Sequence, residues 1–238
     1  MKLSIVIPVY NEAATLNQIL EAVEAVDLVA DLTKEIILVD DCSADKSAEI
    51  IEKHIAASKH TTIQYKFVKH LKNSGKGAAL QTGFKEATGD FVIVQDADLE
   101  YDPEEYNEIL PILVNDKADV VYGSRFAGSK PRRSMGFWHY LANKFLTNLT
   151  NMLNDIYLTD METCYKCFKR EIIQSIDLQE NHFGIEPEMT SKVAKLKGIR
   201  IFEVAISYYG RGYEEGKKIN WRDGIKAIFY IFKYRFFN

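Results

Sequence analysis

Two aspartates separated by one residue follow a short apolar run and carry the clearest chemical signal in this chain. The run Phe91–Val94 leads into Gln-Asp-Ala-Asp-Leu-Glu, which contains Asp96, Asp98 and a third acidic residue, Glu100. In extended chain, residues i and i+2 point to the same side, so Asp96 and Asp98 can converge on one cation. Carboxylates and substrate phosphates are ligands that Mg²⁺ and Mn²⁺ prefer. A solvated turn that caps a helix after Asp102 is the alternative, and the pattern alone leaves both open.

A second acidic pair, Asp40-Asp41, ends the apolar run Glu35–Val39. A carboxylate in this position suits the ribose hydroxyls or base edge of a nucleotide, as in other nucleotide-binding α/β sheets. Capping of the next helix is the alternative. Both roles fit together if Ser43 or Asp45 caps the helix while Asp40 faces the cleft.

The segment Asn73–Gly77 opens a predicted helix and resembles half of a phosphate-binding loop. His70 stands where such a loop has its first glycine, and Gly77 replaces the final Ser or Thr, which excludes a P-loop NTPase. No G-x-G-x-x-G motif follows Pro8, so a dinucleotide-binding fold is excluded as well. We expect Lys76, between two glycines at a helix N-terminus, to contact a nucleotide.

The composition of the chain is that of a globular protein. The chain has 238 residues, of which 47% are hydrophobic and 27% charged, as in ordinary globular domains. Its net charge of −4 does not favour nucleic acid as a partner. The first residues do not form a signal peptide, and no stretch approaches the roughly 20 apolar residues of a membrane span. We therefore expect a cytoplasmic protein.

Cysteine and histidine give no metal or redox site. The three cysteines are Cys42, Cys164 and Cys167, too few for a disulfide framework and consistent with a reducing compartment. Cys164 and Cys167 form a single C-x-x-C without a second pair or a nearby pair of histidines, which argues against zinc or redox chemistry.

The elements that must position these residues alternate between strands and helices. Apolar runs predict strands at Leu3–Val9, Glu35–Val39, Ile63–Val68, Phe91–Val94 and Val120–Tyr122. Helical patterns between them cover Thr15–Val26, Lys46–Ala57, Gly77–Ala87 and Pro103–Asn115. This order predicts an α/β fold with a doubly wound, mostly parallel central sheet and helices on both faces. The polar motifs all fall at the carboxyl ends of strands, where such sheets bind ligands.

The second half is less regular. It contains predicted helices at Phe137–Ile156 and Glu186–Leu196, a strand or hairpin at Ile201–Tyr208, a loop at Gly210–Lys218, and an amphipathic helix from Trp221. No linker divides the chain, so we expect one domain over residues 1–238, made of two halves at 1–125 and 126–238.

The ordered motifs VIPVYNE, VDDCSAD, NSGKGAAL and QDADLEYDP resemble those of family 2 glycosyltransferases. The resemblance implies a GT-A fold and a nucleotide-diphosphate sugar as donor, UDP being favoured over GDP. The positions it places around the nucleotide sugar, together with Lys76, are Pro8, Tyr10, Glu12, Asp40, Asp96, Ala97 and Asp98. It also implies that Asp96 and Asp98 form a DXD-type site for Mg²⁺ or Mn²⁺. Glu100 stands where some relatives carry glutamine as a further metal contact.

The second half is similar to the dolichol- and polyprenyl-phosphate mannose/glucose synthases. The similar segments are Gly123–Arg125, Leu158–Thr163, Phe183–Glu188, Tyr209–Arg211 and residues 214–218. The acceptor in that branch is a lipid monophosphate, which suits Arg125, Arg211 and Lys218 as phosphate-binding residues. The resemblance implies a nucleotide-sugar-binding half at 1–125 and an acceptor-binding half at 126–238. We expect no C-terminal membrane spans, which is a departure from the branch.

The resemblance predicts an inverting transferase, with Asp160, Asp98 and Arg125 as catalytic residues. A saccharide hydroxyl is the alternative acceptor and would need Asp160 as a general base, whereas a phosphate is already anionic and would leave Asp160 an orienting role. A sugar-phosphate nucleotidyltransferase and a non-catalytic nucleotide-sugar binding module are less favoured alternatives. Glu186 and Glu188 open a helix, where carboxylates often serve its dipole.

Two amphipathic helices raise the question of a lipid surface. Basic residues and His139 surround the start of Phe137–Ile156, and the C-terminal helix aligns apolar side chains on one face. The residues concerned are Arg132, Arg133, His139, Lys144, Ile225, Ile228, Phe229, Phe232 and Phe236. Basic and aromatic side chains together suit peripheral contact with the inner face of a membrane. Packing on the core or in a homodimer is the alternative.

Overall fold

The computed structural model describes residues 1–211 and 221–237 and contains one seven-stranded sheet. The strands are β1 Lys2–Val9, β2 Thr33–Asp40, β3 Ile63–Lys69, β4 Phe91–Val94, β5 Val120–Ser124, β6 Lys166–Lys169 and β7 Ile201–Ala205. Their order across the sheet is β3-β2-β1-β4-β6-β5-β7. β6 is antiparallel to β4 and β5, and the remaining neighbours are parallel, which confirms the predicted mostly parallel α/β sheet.

Helices surround the sheet at α1 Leu16–Ala25, α2 Ser47–Ala57, α3 Lys76–Glu86, α4 Tyr106–Val114, α5 Phe137–Asn154, α6 Arg170–Ser175, α7 Ile185–Ala194 and α8 Trp221–Phe236. Their side chains cover the apolar residues of β1, β2 and β4, which are almost wholly buried. α3 approaches β1 so closely that a Cβ on Gly83 would lie 2.2 Å from Cγ1 of Val6. Glycine at position 83 is therefore a packing requirement.

Two predicted helix starts are resolved by hydrogen bonds. Oδ1 of Asp45 accepts from the backbone N–H of Ser47, the first residue of α2, at 2.9 Å, while Lys46 occupies the N-cap position. Ser43 instead accepts from the N–H of Asn11 at 3.0 Å and ties the ends of β1 and β2 together. Oδ1 of Asp102 accepts from Glu104 N–H at 3.0 Å and caps a short 3₁₀ turn before α4.

β6 and α6 were not predicted from the sequence. β6 has only four residues, Lys-Cys-Phe-Lys, and the lysines at both ends give the sequence no apolar run that would indicate a buried strand. Lys166 is nevertheless fully buried, because it pairs with Glu186 at the start of α7. The predicted strand Ile201–Tyr208 was too long, since β7 ends at Ala205 and the chain then turns toward the ends of β4 and β5.

β1 lies at the point where the order of strands reverses. β2 and β3 lie on one side of β1, and β4 lies on the other. A crevice forms outside the carboxyl ends of the strands at such a point, and this is where α/β sheets bind ligands. The segments after β1, β2 and β4 all open into this region. Across residues 1–211 and 221–237, no helix has both the length and the apolar character needed to cross a bilayer.

Candidate active site

The turn after β4 gathers three carboxylates around one arginine. Leu99 adopts a left-handed backbone conformation, with φ of 62°, and Oδ1 of Asp98 accepts from the N–H of Glu100 at 3.2 Å. Nη2 of Arg211 donates to Oδ2 of Asp98 at 2.9 Å, and the backbone N–H of Arg211 donates to Oε1 of Glu100 at 2.6 Å. Nη1 of Arg211 reaches Oε2 of Glu12, from the segment after β1, at 3.3 Å. Arg211 thus joins two of the sequence motifs.

Burial and nearby acidic groups change the pKa of the Asp98 carboxyl group. Burial, and then the neighbouring carboxylates of Asp96 and Glu100, raise the pKa of Asp98 to about 7, against the opposing effect of Arg211. Carboxylates that repel one another at the end of a strand are suitable oxygen donors for a hard divalent cation. Within the described ranges, no three His, Cys, Asp or Glu side chains stand together as a metal-binding group. Asp96 faces a lysine, and Asp98 faces Arg211.

That lysine is Lys76, the first residue of α3. Its Nζ lies 2.8 Å from Oδ1 and 2.9 Å from Oδ2 of Asp96, and 3.9 Å from Oε1 of Glu186. Burial lowers the pKa of Lys76, but the carboxylates of Asp96 and Glu186, with other neighbouring groups, together outweigh burial, and the pKa is raised. Gly75, with φ of 99°, places the lysine there, since a side chain at position 75 would strike the backbone of Asn181. The structure therefore brings Lys76 to the DXD-type pair.

The segment after β1 holds the neighbouring motifs in register. The side-chain oxygen of Asn11, which has a left-handed φ of 53°, accepts from the N–H of Ala44 at 2.8 Å. The hydroxyl of Thr15 donates to the carbonyl oxygen of Ala97 at 2.7 Å and so fixes the residue between the two aspartates. Pro8 lies within β1, and the exposed side chain of Tyr10 follows it.

The acidic pair after β2 has two different environments. Asp40 is fully buried, and its oxygens are both 3.3 Å from the N–H of Ser43. Its contact with a nucleotide stays a prediction. Asp41 accepts from the N–H of Gly75 at 2.6 Å and from Nδ1 of His70 at 2.7 Å. Asp41 therefore holds the loop that presents Lys76, a role that the sequence analysis missed.

A buried ion pair forms the far wall of the site. Nε of Arg125 lies 2.7 Å from Oδ2 of Asp160, and Nη2 lies 2.8 Å from Oδ1. The backbone N–H of Arg125 also donates to Oδ2 of Asp160 at 3.1 Å. Asp160 is fully buried, and the ring of Tyr208 lies 5.2 Å from the guanidinium carbon of Arg125. Both oxygens of Asp160 are therefore engaged, which leaves it poorly placed to remove a proton.

Tyr208 connects this wall to the acidic turn. Its hydroxyl donates to Oε2 of Glu100 at 2.9 Å, while its ring packs on Arg125. Sequence reasoning missed this contact, since a tyrosine after a strand has no motif of its own. Of the predicted phosphate-binding residues, Lys218 lies outside the described part of the chain.

The two glutamates that open α7 have different partners. Glu186 forms an ion pair with the buried Lys166 of β6. Glu188 accepts from the backbone N–H groups of Gln179 and Glu180 at 2.8 and 2.7 Å and pairs with Lys192, so it holds the segment before α7 together. Lys166, which stands between Tyr165 and Cys167, is a sequence signal of a buried lysine, but it does not identify Glu186 as the partner.

Comparison with known proteins gives relatives of two kinds. A dolichol-phosphate mannosyltransferase from Pyrococcus furiosus is 28% identical over 224 residues, covering 92% of this chain and 61% of that protein. An undecaprenyl-phosphate 4-deoxy-4-formamido-L-arabinose transferase from Aeromonas hydrophila is 29% identical over 215 residues, covering 90% of this chain and 62% of that protein. The chain thus spans about three fifths of the length of these curated relatives.

Solved structures share the architecture. Glucosyl-3-phosphoglycerate synthase from Mycobacterium tuberculosis, in complex with Mn²⁺, UDP and phosphoglyceric acid, aligns with a TM-score of 0.74 at 20% identity, covering 100% of this chain and 79% of that one. S. aureus TarS in complex with UDP-GlcNAc aligns with a TM-score of 0.62 at 17% identity, covering 97% and 65%. The fold is therefore the GT-A fold. Since the family model "Glycosyl transferase family 2" matches residues 4–176, most of the chain, the protein belongs to glycosyl transferase family 2.

Proposed function

We propose that the protein transfers a sugar, with inversion, from a nucleotide-diphosphate donor to a polyprenyl phosphate. The observation that carries the proposal is the meeting of the acidic turn Asp96–Glu100 with Arg211 on one side and the buried pair of Arg125 and Asp160 on the other. The curated relatives named above act on dolichol phosphate and undecaprenyl phosphate, by their names. We also propose that residues 1–238 act as one unit, with the donor half at 1–125 and the acceptor half at 126–238.

On the donor side, Asp96, Asp98 and Glu100 would hold Mg²⁺ or Mn²⁺, the ions present in the related solved structures. The bound ion would neutralise negative charge on the leaving diphosphate. Arg211 and Lys76 are cations already held against these carboxylates. Both are suited to bind the donor's phosphates. Because UDP is present in several of the related structures, we propose UDP rather than GDP as the leaving nucleotide.

The donor pocket would be completed by the end of β1. Pro8, Tyr10 and Glu12 lie there, beside Asp40 of β2. We propose that Tyr10, whose side chain is exposed, packs on the nucleotide base. Ala97 is held by Thr15 and would bring its backbone close to the diphosphate.

On the acceptor side, Arg125 would bind the lipid phosphate, together with Lys218. An oxygen of that phosphate forms the new bond to the anomeric carbon, while the bond from that carbon to the diphosphate breaks and its electron pair stays on the diphosphate. A phosphate monoester has no proton that must be removed for this attack. Asp160 then acts by orienting Arg125, in keeping with the engagement of both its oxygens.

The acceptor class can be tested by where the label goes. Purified protein is incubated with Mn²⁺, radiolabelled UDP-sugar and undecaprenyl phosphate, and the product is extracted into organic solvent. We expect label in the organic phase, and we expect Asp98→Ala to abolish it. Label that appears only in water-soluble saccharide would support the alternative acceptor, a saccharide hydroxyl. A wild-type protein that binds the donor without turnover with either acceptor would instead be a binding module.

An apolar surface on α5 and α8 favours contact with a membrane. The two helices pack in one apolar cluster through Leu146 of α5 and Ala227, Ile228 and Ile231 of α8, and Met161 from the segment after α5 joins this cluster. Their outward side chains remain exposed, namely Phe137, Trp138, Leu141, Phe145, Met152, Ile225, Phe229, Phe232 and Phe236. Four exposed cations, Arg132, Arg133, Lys226 and Arg235, lie at or near these helices. We propose that this lipid-facing surface rests on anionic headgroups at the inner face of the membrane.

Flotation with vesicles tests this surface. We expect the protein to float with vesicles of phosphatidylcholine and phosphatidylglycerol, and to float less with phosphatidylcholine alone, because the cations add an electrostatic attraction. Absence of flotation with both would refute the membrane assignment. In that case a dimeric mass in solution would support a homodimer that buries the same surface.

A further inference from the structure

The segment Thr159–Cys164, between α5 and β6, is fixed by hydrogen bonds at most of its residues. The N–H of Thr159 donates to Glu203 at 2.8 Å, that of Met161 to Thr147 at 3.1 Å, and that of Cys164 to the hydroxyl of Tyr101 at 3.1 Å. Asp160 is held by Arg125 as described above. Glu162 lies in the middle of this segment, so the position of its backbone is fixed.

The carboxyl group of Glu162 is only partly satisfied. Its Oε1 is buried and has no hydrogen-bond partner among the residues that the structure describes. Buried polar atoms are nearly always paired, because an unpaired one loses its interactions with water and gains none in return. The residue as a whole is half-buried, so Glu162 lies near the protein surface although its Oε1 is covered. An unpaired oxygen on such a residue points to a ligand atom as its partner.

The charged groups that act on Glu162 belong to, or contact, the two proposed phosphate sites. They are Glu186 on α7, Lys166 on β6, Arg125 after β5, and Asp160 on its own segment. Arg125 is the proposed ligand of the acceptor phosphate. Glu186 is also 3.9 Å from Lys76, which holds Asp96 of the donor-diphosphate site. The transferred sugar is bonded to the donor diphosphate and is attacked by the acceptor phosphate. During transfer it must therefore lie between the two proposed phosphate sites.

We propose that Glu162 binds a hydroxyl group of the transferred sugar. The inference rests on the proposed function and names a sugar contact within it. A hydroxyl both donates and accepts, so it can satisfy a carboxyl group whether that group is ionised or protonated. A phosphate only accepts and is negatively charged, and the carboxylates of Glu186 and Asp160 beside Glu162 disfavour it. Glu162 is thereby a substrate-binding residue that discriminates between nucleotide sugars.

The experiment compares affinities for nucleotide with and without its sugar. Wild type, Glu162→Ala and Glu162→Gln are titrated calorimetrically with UDP and UDP-glucose in the presence of Mn²⁺, and with GDP and GDP-mannose. We expect unchanged affinity for the free nucleotide. We expect Glu162→Ala to lose about tenfold or more of the extra affinity that the sugar confers, as for a lost hydrogen bond to a charged group.

Dependence on pH gives a readout that a structural role would not alter. Burial, and then Glu186, raise the pKa of Glu162 to about 7. Ionisation strengthens the hydrogen bond accepted from a hydroxyl, so the preference of wild type for UDP-sugar over UDP should increase from pH 6 to pH 8. Glu162→Gln has no such ionisation and should lose that part of the pH dependence, whatever Asp98 contributes to both proteins.

Thr163→Val is the matched control. The Thr163 hydroxyl is also an unpaired buried oxygen on this segment, but Thr163 is fully buried and cannot reach a substrate. We expect Thr163→Val to bind UDP and UDP-sugar as wild type does. The proposal is overturned if Glu162→Ala keeps the full sugar contribution, or if it changes only the binding of a short-chain polyprenyl phosphate. Failure of wild type to bind any nucleotide or nucleotide sugar overturns the proposed function itself, and the role of Glu162 with it.

Discussion

Replacing Asp160 by asparagine should destabilise the protein strongly, because it leaves the charge of Arg125 buried without a partner. The two side chains are 0% and 6% exposed and are joined by two hydrogen bonds of 2.7 and 2.8 Å. Removing one member of a buried ion pair typically costs about 3–5 kcal/mol. In a domain of this size each kcal/mol lowers Tm by about 2–4 °C, so Asp160→Asn should lower it by roughly 6–20 °C.

Circular dichroism melting at pH 7 measures the effect. The exposed pair of Lys53 and Glu49, 2.6 Å apart, provides a matched control, since Glu49→Gln removes a surface contact that water and salt already screen. We expect the melting curve of Glu49→Gln to coincide with that of wild type. Adding Arg125→Met to Asp160→Asn removes the unpaired charge and should recover at least half of the lost stability.

The outcome also decides between the two roles of Asp160. If Asp160 positions Arg125, both stability and transfer fall in Asp160→Asn. A variant that melts within about 2 °C of wild type, a shift worth less than about 1 kcal/mol, yet has lost turnover, would refute the positioning role and support a general base. A double variant less stable than Asp160→Asn would refute the electrostatic explanation of the stability loss.

Three further perturbations test other parts of the structure. Burial and neighbouring carboxylates raise the pKa of Asp98 from 3.8 to about 7, so the folded state binds more protons than the unfolded state in that interval and stability falls as pH rises through it. Asp98→Asn should therefore have a higher Tm than wild type at pH 7.5 without metal. Mn²⁺ should raise the Tm of wild type but not that of the variant. A lower Tm for the metal-free variant at pH 7.5 would contradict this. Gly83→Ala places a Cβ 2.2 Å from Val6 and should cost about 1–3 kcal/mol in chemical denaturation, whereas an unchanged midpoint would mean that α3 moves away from β1 freely. Trp138→Ser should weaken flotation with anionic vesicles, while Leu71→Ser, which alters a wholly exposed leucine after β3, should leave it unchanged; equal effects would show nonspecific adsorption.

Much of the sheet could be predicted because its central strands are buried on both faces. Such strands have continuous apolar runs in the sequence, and this pattern predicted the strands at Phe91–Val94 and Glu35–Val39. β6 was not, because Lys166 interrupts its apolar character. A lysine can occupy that position only because Glu186, 20 residues later in the chain, neutralises it, and no local pattern records such a partner.

The candidate active site also has one part that the sequence predicts and one part that it does not. That Asp96 and Asp98 follow β4 is fixed by covalent sequence, since a strand end carries its next residues to the same edge of the sheet. The covalent sequence does not fix which cation each of these aspartates contacts. Asp96 faces Lys76, from the start of α3, and Asp98 faces Arg211, which lies 113 positions further along.

Sequence by itself determined the family's motifs, the doubly wound α/β class and the edge of the sheet where chemistry gathers, because these follow from local pattern and strand polarity. Tertiary structure alone decided that Asp160 pairs with Arg125 and that Arg211 joins Glu12 to Asp98. It also decided that one oxygen of Glu162 has no hydrogen-bond partner among the residues that the structure describes. Coulombic and hydrogen-bonding energies depend on separation in space, and residues distant in the chain acquire that separation only when the sheet has assembled.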